Sequence, residues 1–173
     1  LQKIPNYQKK FELTVVGGGP LEAAMKKLAS QVCPELELDW QGNIQHSLVS
    51  EVMAVHDLLV LTSVKEAGCT VVMESLSQGL PVVCHDAFGM ANTVNDSCGW
   101  KIPYKSPSDS ISNLRDVLTD ISENPQSVNQ KSVGALTRRH EVSWKRLADQ
   151  ISLAYKDVMV DKYIIGDTYR ISP

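Results

Sequence analysis

The sequence predicts an α/β fold, a doubly wound parallel sheet of the Rossmann-like kind, and three observations predict it. Short, wholly apolar segments such as LPVVCHD lack the polar alternation of a half-exposed strand, so they mark strands covered on both faces. Between each pair of them lies a segment with apolar residues at helical spacing, the order expected when parallel strands are joined by crossovers. Glycine turns, VVGGGP first among them, close strands and open helices.

The elements follow in order. FELTVVGG has the β-branched density of a buried strand, and PLEAAMKKLASQV continues as a helix. LELDWQG predicts a second short strand, and HSLVSEVMAVH a helix with Leu48, Val49, Val52 and Val55 on one side. DLLVLTS is the third strand, TVVMESLSQG the next helix with Gly79 at its carboxyl end, and LPVVCHD the fourth strand. GMANTVNDSCGWKIPY predicts a loop region with a short helix and a last small strand, GWKIP. Ser106 followed by Pro107 is an N-cap and first-turn signal for a helix over SPSDSISNLRDVLTDISENP. SWKRLADQISLAYKDVM is one more amphipathic helix, and no element is assigned to DKYIIGDTYRISP. There is no repeat and no linker, so residues 1–173 are expected to form one domain.

Composition bounds the function. The net charge is -3 and the pI near 5.8, with basic residues spread out, which gives no footprint for nucleic acid. Four cysteines, Cys33, Cys69, Cys84 and Cys98, stand far apart without a CxxC pair, so neither a zinc site nor a disulfide framework is signalled. They predict reduced thiols and a cytoplasmic setting. No apolar run approaches the roughly 18 to 20 residues of a membrane span.

Ligands of such sheets bind outside the carboxyl ends of the strands. Four loops qualify: Gly17 to Pro20, Gln41 to His46, Ser63 to Thr70, and His85 to Met90. In the first, Gly17 and Gly19 with Asp39 downstream resemble a dinucleotide fingerprint, but Glu22 stands at the third glycine and Pro20 removes an amide. A plain strand-to-helix turn accounts for the same residues.

The third loop and the helix it opens carry two acids, Glu66 and Glu74, with seven residues between them, on either side of a helix start near Thr70. Gly68 can release the amides of Cys69, Thr70 and Val71 toward a ligand, and a helix amino terminus favours an anion. Phosphates on the amides and hydroxyls on the carboxylates would suit a nucleoside diphosphate joined to a sugar. Taken alone, the two acids are equally well a solvated loop acid and a polar-face residue. Cys69 has no evident base and suits packing; His46 and His56 suit helix ends or surface.

A longer stretch decides between these readings. TSVKEAGCTVVMESLSQGLPVVCHDAFGMANTVNDSCGWKIP resembles the donor-site signature of the retaining GT-B glycosyltransferases of family 4, through Ser63, Glu66, Glu74, the Gly79 to Val82 turn, Gly89 and Gly99. VVGGGP, QGN and SWKRLADQISLAYKDV match in order, so the resemblance covers nearly the whole chain. It implies a Rossmann-like, C-terminal half of a GT-B fold that transfers a sugar from a nucleotide-diphosphate donor to a saccharide or lipid-linked acceptor. By the same resemblance, Glu66 contacts the donor sugar and Glu74 the ribose. Gly68, Cys69, Thr70 and Val71 then meet the diphosphate, while Gly18 and Asn43 or Ile44 approach the base. The family's Glu-Gly-Phe-Gly is Glu-Ala-Gly-Cys here. No metal or other cofactor is implied, and no nucleic acid. The resemblance also implies that the first strand, a basic Arg and Lys, and an N-terminal acceptor domain lie outside this chain. The fragment alone would then be inactive, and the whole protein could associate peripherally with the inner face of a membrane. A non-catalytic nucleotide-binding module, or an epimerase or phosphorylase of similar fold, stays open beside the transferase.

Overall fold

The computed structural model describes residues 11–66 and 69–168, with side chains through 159. Five strands alternate with helices from the start. β1 (Leu13–Val16), α1 (Glu22–Val32), β2 (Leu38–Gly42), α2 (His46–Ala54), β3 (Leu59–Leu61), α3 (Thr70–Ser77), β4 (Val82–His85), α4 (Phe88–Thr93) and β5 (Gly99–Ile102) come first. Three helices close the described chain: α5 (Pro107–Glu123), α6 (Gln126–Glu141) and α7 (Trp144–Thr168).

Every strand pairing is parallel, as short apolar strands with helical crossovers require. The sheet is nevertheless divided. β1 pairs with β2, and β3, β4 and β5 pair in that order. Leu59 stands opposite Val82 in one ladder, and Val82 opposite Gly99 in the next, so β4 is the central strand of the larger sheet. All four of its residues are buried. Two clusters cover its faces. Cys69, Val72, Leu76, Val82, Cys84, Met90, Val94 and Cys98 pack on one side with Ala135 of α6. Val83, Leu118 and Ile121 pack on the other, joined by Phe11, Leu58 and Val60.

Gly99 explains itself by contact. A Cβ there would lie 2.2 Å from the Val82 carbonyl oxygen and 2.6 Å from a Val94 methyl, distances that no side chain can accept. Gly79 follows α3 with φ of +76°, the left-handed conformation that ends a helix, and its amide donates to the Leu76 carbonyl. The cap at Ser106 is equally concrete: its Oγ accepts from the Asp109 amide at 3.2 Å, with Pro107 in the first turn.

Three sequence readings need correction. The sequence pattern predicts no helix where α6 lies, because the surface of α6 is largely polar and Gly134 sits inside it, so it offers little apolar periodicity. The inward side of α2 is Val49, Val52 and Met53; Leu48 and Val55 are exposed, because the helix meets its neighbours with one narrow edge. The last helix runs well beyond the predicted segment, through Thr168. Among the described residues no helix is long and apolar enough to cross a membrane.

Candidate functional site

The carboxyl ends of the strands bring four loops to one side of the molecule. After β1 and β2 the loops adjoin: the Gly17 amide donates to the Gly42 carbonyl at 2.7 Å, and the position of a Cβ on Gly18 lies 3.5 Å from Asn43 Nδ2. Gly18 and Asn43 are therefore neighbours, with Ile44 half-buried beside them. The same Cβ position is 2.9 Å from Glu22 Oε2. A carboxylate against this turn opposes a pyrophosphate, which weighs against the dinucleotide reading.

The loop after β3 is pinned at two points. His85, buried at the end of β4, donates from Nδ1 to the Ser63 carbonyl at 3.3 Å and accepts the Ser110 hydroxyl at Nε2, 3.1 Å away. The Gly89 amide donates to the Glu66 carbonyl at 3.2 Å. Glu66 is thereby fixed in the backbone between β3 and α3 while its side chain stays half-buried. Gly68 lies outside the described residues. The left-handed residue in view is Cys69, with φ of 42° and ψ of 45°. Helical bonding begins when the Val72 amide donates to the Cys69 carbonyl, which leaves the amides of Cys69, Thr70 and Val71 upstream of the helix's own ladder. Thr70 is exposed at this end and Val71 half-buried.

Cys69 itself is buried, and burial first, then the nearby Glu66 carboxylate, pushes its thiol above the ordinary range. A protonated, enclosed thiol is a packing group, not a nucleophile. Glu74 stands one turn inside α3, its side chain about one-third exposed, and His46 at the start of α2 donates from Nε2 to its Oε1 at 2.9 Å. His56 is a strut instead: Nδ1 donates to the Val52 carbonyl at 2.6 Å and Nε2 accepts from Thr14 Oγ1 at 2.8 Å.

Further groups meet at this end, between the His85 to Met90 loop and β5 with the turn after it. Phe88 is left-handed, with φ of 56°, a conformation uncommon for a bulky residue. Its ring lies 5.7 Å from that of Tyr104, which meets His85 edge-on at 5.2 Å. Lys101 of β5 pairs with Asp86 at 3.0 Å. The His85 to Met90 loop is a candidate from the sequence, but its pairings with Lys101 and Tyr104 join residues that only the fold brings together.

The arrangement brings the amino terminus of α3, two half-buried carboxylates and an exposed glycine–asparagine junction to one end of the strands. The family model described as glycosyl transferases group 1 matches residues 1–133. No curated protein matches significantly. Among solved structures, the pneumococcal O-GlcNAc transferase GtfA in complex with UDP and GlcNAc superposes with a TM-score of 0.70 at 15% identity, over 86% of this chain and 30% of that one. Anabaena Alr3699/HepE in complex with UDP and glucose gives 0.70 at 18% identity, over 90% of this chain and 42% of that one. WaaG, a glycosyltransferase involved in lipopolysaccharide biosynthesis, gives 0.66 at 24% identity, over 83% and 37%. The chain thus has the Rossmann-like fold of one half of these GT-B proteins and spans less than half the length of each.

Proposed function

The chain belongs to the glycosyl transferases group 1 family, and from that premise we propose that it is the donor-binding part of a retaining enzyme of family 4, which moves a sugar from a nucleotide diphosphate to a saccharide or lipid-linked acceptor. The observation that carries this reading is the placement of Glu66 and Glu74 on either side of the α3 amino terminus, on the same side of the molecule as Gly18 and Asn43. A nucleotide sugar supplies the matching groups in the same order: base, ribose diol, diphosphate and sugar hydroxyls. The solved neighbours in complex with UDP agree with that class of donor.

In this reading Gly68 and the Cys69, Thr70 and Val71 amides receive the diphosphate. They stabilise the charge that builds on it as the glycosidic bond breaks. The charge is met by amides and the helix dipole rather than by a metal ion. Glu66 holds the sugar by its hydroxyls and so fixes the reacting carbon. Glu74 accepts from the ribose hydroxyls, while Gly18, Asn43 and Ile44 bracket the base. The strands form a β1–β2 pair and a separate β3–β4–β5 set, and in this reading the family's first strand joins the two, supplied with the Arg, the Lys and the acceptor domain by segments outside this chain. The chain alone is then expected to bind donor without transferring sugar.

The test separates the two acids. Glu74→Gln keeps the shape and removes the charge, so affinity for the diphosphate falls about ten- to a hundredfold, the worth of a hydrogen bond to a charged group. Glu66→Gln leaves the bare diphosphate bound and weakens the sugar conjugate. Calorimetric titration with UDP, GDP and ADP and their hexose conjugates reads both, and equal losses for both ligands in both variants would sink the division of roles.

A further inference from the structure

Helices α2 and α3 are joined by two side-chain rungs. His46 donates to Glu74 Oε1 at 2.9 Å, and one turn further along both helices Gln78 Nε2 donates to Ser50 Oγ at 2.5 Å. The two rungs differ in what they leave free. Ser50 and Gln78 offer only neutral hydroxyl and amide groups, whereas the Glu74 carboxylate accepts about four hydrogen bonds as a charged group and His46 occupies one of them. Among the described residues no other side chain bonds the Glu74 carboxylate. A glutamate has three rotatable bonds, and one that must meet a pair of hydroxyls loses that freedom on binding. His46 removes part of it beforehand.

We propose that His46 is a positioning residue for nucleotide binding: its ring N–H holds Glu74 by Oε1 so that Oε2 and the remaining lone pairs face the ribose diol. The inference rests on the reading of Glu74 as the ribose-holding acid. It assigns to the loop after β2 a second task besides flanking the base, because His46 follows Asn43 and Ile44 at the start of α2. The nucleotide then couples the two parts of the divided sheet, with Glu74 held from α2 and carried by α3.

Titration of the chain with UDP, GDP and ADP in turn tests this. His46→Ala should weaken the diphosphate that binds by roughly three- to tenfold, the net worth of one hydrogen bond. His46→Gln, whose amide reaches a similar distance, should restore binding to within about twofold of wild type. Ser50→Ala removes the companion rung and should leave affinity unchanged, which separates positioning from mere joining of helices. In a Glu74→Ala background, His46→Ala should cost nothing more. Equal losses in His46→Ala and His46→Gln, or a full further loss in the Glu74→Ala background, would overturn the proposal while Glu74 keeps its role. Wild-type affinity in Glu74→Ala, or no binding of any of the three diphosphates, overturns the reading beneath it and the proposal with it.

Discussion

Cys84 sits in the middle of β4 with 1% of its surface exposed, and a thiolate there would give up its hydration for an apolar cluster. Burial is the first cause of its raised pKa, the neighbouring Cys69 the second, and together with lesser contributions they push it from 9.0 up to about 12. Lys101 pulls the other way without prevailing. A raised folded-state value means that the native protein keeps a proton that the unfolded chain releases. The resulting stability is full below pH 9 and drains away as the pH climbs toward 12. Cys84→Ala should therefore flatten the fall of melting temperature over that range relative to wild type; parallel curves would show that the thiol is not the group responsible. A thiol reagent near pH 8 should also find Cys33 alone in the native protein, since Cys69, Cys84 and Cys98 are buried.

At the scale of elements, α6 is the helix that the apolar pattern hid and the one that ties the others down. Its arginines complete the carboxyl ends of two other helices. Arg138 donates to the carbonyls of Thr93 at 3.0 Å and Asn92 at 2.6 Å, and Arg139 donates to the Ser77 carbonyl at 3.2 Å. Lys131 donates to the Asp96 carbonyl at 2.6 Å and lies 4.7 Å from the Trp100 ring centre. Gly134 is what lets the helix come so close: a Cβ there would fall 1.8 Å from the Ser97 carbonyl oxygen. Helix propensity alone says that Gly134→Ala gains about 1 kcal/mol. The clash should reverse the sign, because forcing the helix away from the 95–98 turn costs about 1–3 kcal/mol or more. Chemical denaturation would check it, and a stabilised Gly134→Ala would mean that α6 sits farther out.

For the whole molecule, burial is uneven. All four residues of β4 are buried, while between Phe11 and Gly42 only Leu36 is. Opening β1, α1 and β2 therefore exposes little apolar surface, and opening β4 exposes both core clusters. Native-state hydrogen exchange should show the amides of Val82–His85 protected nearly to the global limit, with those of Leu13–Val16 and Leu38–Gly42 exchanging orders of magnitude sooner. Uniform protection across the two sheets would show that they unfold as one. A bound diphosphate, which touches both in the proposed site, should narrow the difference.

The apolar runs and their glycine stops were enough to determine the parallel α/β class, the order of the first nine elements, and the cap at Ser106, because each depends on residues adjacent in the chain. The glutamate pair and the loops at the strand ends were legible for the same reason: a strand, a turn and a helix start lie within one short stretch. Tertiary structure alone decided that Glu74 meets His46, that Gln78 meets Ser50, and that His85 braces Ser63. It also decided that Gly134 is a contact surface rather than a flaw in a helix. Those pairs are more than twenty residues apart, and their meeting follows from the register of the strands, which side-chain periodicity does not encode. The divided sheet belongs to the same class, since which strand edges pair is a property of the assembled layers and not of any one segment.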